Sequence, residues 1–183
     1  MHVLHKILVY KEEGFDVTEL EQERIDEARS LAEYDTEKYF EEVYDWRETE
    51  TAGAWSDEYP KQVYFASDDI DWFINEIKEA VASQKAEAEM YMKEIKEHGG
   101  INLEDIVSVL MDDNLEPEAP SARFASATSF ALLKLSRLLY GDYDIDSGIY
   151  NLASSSARIY NEDIEQIKQE PNKWAIVMFD YHY

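Results

Sequence analysis

Trp174-Ala175-Ile176-Val177-Met178-Phe179-Asp180-Tyr181 decides the fold: six apolar residues in succession, four of them β-branched or aromatic, read as a strand. Residues 2–10, HVLHKILVY, read the same way, with Val3, Leu4, Ile7, Leu8 and Val9 ahead of a turn signal at Lys11 to Gly14. Pairing of these two terminal strands would close a small mixed or antiparallel sheet, with helices covering one face. The expected class is α+β, mostly helical, in a single domain over residues 1–183, because about 100 to 200 residues fill one domain.

Working inward, Thr18-Glu19-Leu20-Glu21 has the form of a capping box, and the polar stretch after it should be helical to about Asp45, with Tyr34-Asp35 as the place for a break. Leu20, Ala28, Leu31, Tyr34, Tyr39, Phe40, Val43 and Tyr44 are its expected inner face. Residues 46–60, WRETETAGAWSDEYP, read as an ordered loop, and residues 62–66 as a second strand. Ser67 and Asp68 can cap a long helix over about 69–98, ended by Gly99-Gly100, and Asn102 can cap a short one over 103–113. Pro117 and Pro120 then impose an extended link. Residues 121–140, SARFASATSFALLKLSRLLY, hold no carboxylate and are apolar on nearly every side, as expected of a central buried helix. Residues 149–159 allow a hairpin, and residues 161–169 a further helix.

Composition narrows the function classes. Forty-one acidic residues against seventeen basic ones give a net charge of -24, which argues against direct binding of nucleic-acid phosphates or anionic membranes. Without cysteine there is no disulfide, thiolate zinc site or cysteine nucleophile. The first apolar stretch is too short for a secretory leader, and no segment approaches the roughly 20 apolar residues of a membrane helix, so a cytoplasmic protein is expected.

The charge is segregated. Residues 12–58 carry eighteen acids and four bases, a net of -14, and residues 102–118 add six acids and no base. Glu19, Glu23 and Glu27 follow at i, i+4, as do Glu33, Glu37, Glu41 and Asp45. Like charges at that spacing cost a helix about 0.2–0.5 kcal/mol per pair. A fully helical 12–58 would be about 70 Å long with one net charge per about 5 Å, near the one per about 3.4 Å of a single DNA strand. Such a surface could replace nucleic acid in the basic groove of a partner; it could equally be a solvated face kept for solubility. Trp46 and Trp55, set among Arg47, Glu48, Glu50, Asp57 and Glu58, are either interface anchors or indoles folded inward over the core.

Other patterns carry less. Asp142, Asp144 and Asp146 begin like a calcium loop, but the glycine falls one place late and Ala153 stands where the bidentate Glu belongs, so a polar turn is expected. Among His2, His5, His98 and His182, the first two sit three apart on a strand and face opposite sides, so no metal site is expected. Ser154-Ser155-Ser156 has no nucleophile elbow, and no phosphate-binding, dinucleotide or zinc-protease motif is present. No catalytic residue and no cofactor is assigned.

WRETETAGAWSDEYP and the closing WAIVMFDYHY resemble segments of short acidic proteins carried by bacterial phages and conjugative elements. The likeness is one of class, similar in character to anti-restriction and anti-CRISPR inhibitors, several of which imitate DNA. The resemblance implies a non-enzymatic inhibitor whose partner is a basic nucleic-acid-binding protein. The specific expectation is an RNA-guided DNA endonuclease of a type II system, which holds its heteroduplex in a positive channel. Glu19, Glu23, Glu27, Glu33, Glu37, Glu41, Asp45, Trp46 and Trp55 are the candidate contacts. Two rivals stand beside it: an accessory or regulatory binding protein of a mobile element, acidic only for solubility, and a hydrolase using carboxylates and a metal.

Overall fold

A computed structural model describes residues 2–16, 18, 20–43, 45–97, 127–141 and 148–182. In chain order they form β1 (His2–Tyr10), α1 (Glu21–Val43), β2 (Trp46–Glu48), a 3-10 turn (Gly53–Trp55) and β3 (Val63–Phe65). Then follow α2 (Ile70–Glu97), α3 (Ala127–Tyr140), β4 (Ile149–Asn151), α4 (Asn161–Gln169), a second 3-10 turn (Pro171–Lys173) and β5 (Trp174–His182). The class is α+β, as the sequence predicts. The helix expected over 103–113, the link at Pro117 and Pro120, and the Asp142 to Asp146 turn lie outside the described residues. Two compact units emerge: residues 1–84 with 141–183, and residues 85–140.

The first unit is built on a mixed five-stranded sheet. β1 and β5 pair antiparallel along their whole length, from His2 opposite His182 to Tyr10 opposite Trp174. β4 lies parallel to β1 on its other side. β2 and β3 share the far edge of β5, with Trp46 opposite His182 and Val63 opposite Val177. Within residues 149–159, where a hairpin is expected, β4 leads into a tight turn closed by an antiparallel bridge in which Asn151 and Ser156 exchange backbone hydrogen bonds at 2.8 and 3.1 Å.

Helices cover both faces of this sheet, which corrects the one-faced expectation. Side chains alternate across a strand. Ile7 and Val9 with Ala175, Val177, Phe179 and Tyr181 meet Ala28 and Ala32 of α1. Leu8, Trp174, Ile176 and Met178 meet Phe73, Ile74 and Ile77 of α2 and Ile167 of α4 on the opposite face. β5 is therefore buried from Trp174 to Tyr181, and each such Ile, Phe or Met contributes about 1.5–3 kcal/mol through burial.

Helix α1 starts later than the sequence suggests, and of its expected inner face Ala28 is buried and Leu31 packs against the core while Leu20 and Tyr34 do not. Asp16 accepts hydrogen bonds from both the Thr18 amide at 2.8 Å and the Thr18 hydroxyl at 2.7 Å. These bonds hold the Asp16 carboxyl below its usual range and leave Thr18 in a turn, not at a helix cap. No break occurs at Tyr34-Asp35. The buried row is Arg24, Ala28, Ala32 and Thr36, spaced at i, i+4. Small residues on that row let the helix backbone lie close to the sheet. Leu20 is 71% exposed and Tyr34 is 85% exposed, so neither is core. For α2 the cap is Asp69, whose carboxylate accepts the Trp72 amide at 3.0 Å, while Asp68 is taken by Arg24 at 3.4 Å.

In the second unit Tyr91 and Ile95 of α2 pack with Ala131 of α3, with Leu132, Leu135 and Leu138 alongside. Phe130, Leu133, Leu139 and Tyr140 remain exposed, so the apolar helix buries one side and is not enclosed all round.

Candidate functional site

Because α1 buries the row through Ala28 and Ala32, the carboxylates a third to a half turn away must face water. Glu23, Asp26 and Glu37 are exposed and Glu33 is half-buried, with the exposed phenol of Tyr34 among them. Over the 23 residues of α1, nine carboxylates and three basic residues leave a net of -6 along about 35 Å, or one charge per about 6 Å. The acidic stretch does not continue as one helix to residue 58, since β2 and a 3-10 turn follow.

Several of these acids are already paired. Glu27 holds Lys11 at 2.7 Å, Asp26 meets Arg29 at 3.3 Å, and Glu21 meets Lys61 at 3.4 Å. Glu37 binds Arg47 of β2, whose side chain is only 7% exposed and lies over the Phe179 ring at 5.2 Å. That carboxylate therefore ties α1 to the sheet. Glu23 and Glu33 have no ion-pair partner among the described residues. Glu19 and the Glu41 side chain lie outside what is described.

Asp45 and Trp46 do not belong to the α1 face. They sit at the end of β2 beside His182, whose ring Nδ1 is 2.8 Å from the Asp45 carboxylate. That hydrogen bond keeps the Asp45 carboxyl below its usual range. Trp46 is partly exposed and meets the His2 ring edge-on at 6.2 Å. Trp55 packs against the α2-side core, which matches the inward-folded reading of its indole. The nine candidate contacts thus fall into separate groups.

Two clusters escaped the sequence reading. On the α2 face, Lys6 donates to Glu76 at 2.6 Å and to the Tyr59 hydroxyl at 3.1 Å, and all three are largely buried. Burial, and then the Glu76 charge, push the Tyr59 phenol above its ordinary range. At the end of the same face the Asp180 carboxylate, 1% exposed, accepts the Ala54 amide at 2.9 Å and lies 2.9 Å from His2 Nδ1. Gly53 has φ +56°, and a β-carbon there would overlap Asp180. No group of three or more His, Asp or Glu arranged to hold a metal is found among the described residues.

The groove between the start of α2 and α4, lined by Ile70, Asp71, Ile74, Asn75, Lys78 and Lys168, contains one carboxylate and no histidine. Compared with known proteins, the chain matches no family model, no curated protein and no solved structure.

Proposed function

We propose that the protein is a non-enzymatic binding protein that presents the outer face of α1 to the basic groove of a nucleic-acid-handling partner and competes there with nucleic acid. The observation that carries this reading is the one-sidedness of α1: its inner row is buried on the sheet, and Glu23, Asp26 and Glu33 share the outer arc. Carboxylates so placed engage Arg and Lys that otherwise hold phosphates. The partner to test first is an RNA-guided DNA endonuclease of a type II system, whose channel has the required charge.

The test is binding of purified endonuclease at low and high salt, with the triple variant E23Q/D26N/E33Q beside the parent. The parent should bind, lose affinity steeply as salt rises, and block target DNA, while the variant folds and does neither. Undiminished inhibition by the variant would overturn the proposal. A second reading has its own support. The exposed Phe130, Leu133, Leu139 and Tyr140 of α3 favour an apolar interface with a different partner, as in an accessory protein. Such a complex would hardly respond to salt.

A further inference from the structure

His2 and His182 face each other across the β1–β5 pair, and their ring centres are 5.1 Å apart. Each ring has its Nδ1 on a carboxylate: His2 on Asp180 at 2.9 and 3.0 Å, and His182 on Asp45 at 2.8 Å. A carboxylate only accepts, so each Nδ1 carries a proton, and the tautomer this selects for metal binding has its lone pair on Nε2. Carboxylate behind, imidazole in front is the arrangement that orients metal-binding histidines and raises their basicity. It occurs here twice, on directly opposed residues. Asp180 is itself immobilised by the Ala54 amide, and the space for it depends on Gly53. The two imidazoles are 49% and 39% exposed, so an ion can reach them from solvent. Two nitrogens on one tetrahedral ion, each at about 2.0–2.1 Å, stand about 3.3 Å apart. Rings bound in that way have their centres about 5 Å apart, close to the 5.1 Å seen between His2 and His182.

We propose that His2 and His182 form a two-imidazole site for a divalent transition metal, with Asp180 and Asp45 as positioning residues and water in the remaining coordination places. Imidazole nitrogen prefers Cu2+, Ni2+ and Zn2+ to the oxygen-seeking Mg2+ and Ca2+, and Cu2+ should bind tightest. The site is independent of the binding role given to α1.

Trp46 supplies the readout, since its indole lies 6.2 Å from the His2 ring and Cu2+ quenches a nearby indole. Tag-free protein titrated with Cu2+ should lose fluorescence saturably at one equivalent, and W46F should lose most of that response while still binding the ion by calorimetry. H2A and H182A should each weaken binding at least about tenfold, and D180N about tenfold through the orienting bond. Millimolar Mg2+ should not compete; Zn2+ should. Unchanged Cu2+ affinity in H2A/H182A, or displacement by Mg2+, would overturn the site and assign the ion to the surface carboxylates. Long-range proton–nitrogen spectra of the unaltered protein with Zn2+ give a check free of variants. Both Nε2 signals should move, and movement of one or neither also overturns the proposal.

Discussion

Carboxylates occupy two opposite environments in this molecule. On the α2 face of the sheet, Glu76 and Asp180 are buried and fully engaged, one by Lys6 and Tyr59, the other by His2 and a backbone amide. On the outer face of α1, Glu23 and Glu33 point to water and hold no cation among the described residues. The same functional group is a structural element in the first setting and a surface charge in the second. The cause is solvation: a desolvated charge must be compensated at once, whereas an exposed one is screened. Net charge alone therefore says little about availability, and the count that matters on α1 is smaller than the sequence total.

The comparison breaks most easily at Glu76. E76A leaves the Lys6 ammonium in a buried site without its carboxylate and should cost about 3–5 kcal/mol in denaturant unfolding. The double replacement K6M/E76M should recover most of that loss. A cost under about 1 kcal/mol for E76A would move the pair into the screened class. Next comes G53A, which places a β-carbon against Asp180 on a left-handed backbone and should cost about 1–3 kcal/mol by thermal unfolding. A neutral result would mean that Asp180 yields readily.

The smallest effect belongs to exposed Asp45. Its folded carboxyl sits below the ordinary value of 3.8 because His182 bonds it. Its contribution is thus present above that value and is lost as pH falls through the lower folded one. D45N should flatten the acid end of the stability profile and leave neutral stability nearly unchanged, as followed by urea midpoints between pH 6 and pH 3.

Both terminal strands, β3 and all four described helices were legible, because apolar runs and capping signals are local. The phase of α1 was legible only in part. Ala28 and Leu31 lie on the inner face as expected, but Tyr34 and Leu20, core-like by size, are exposed and Ala32 stands in the core, because a close helix–sheet approach selects small residues that hydropathy underrates. Burial of both sheet faces was signalled by the unbroken run Trp174 to Phe179, in place of an apolar–polar alternation. The His2–His182 pair needed the strand register, which no single-strand pattern contains. Likewise Asp16 overrode the capping box by capturing Thr18, and Arg47 turned Glu37 from a repulsive charge into a tie. Carboxylate spacing at i, i+4 was visible; which members of each row were already occupied depended on cations distant in sequence.

β5 touches β1, β2 and β3, and its partners in β1 lie more than 160 residues upstream. During synthesis the sheet has no centre until that strand leaves the ribosome, so β1 must wait with its apolar edge uncovered. Folding should accordingly be late and slow, limited by the closure of one very large loop. In that interval the anionic α1 segment, translated directly after β1, is well placed to keep nascent chains from sticking to one another.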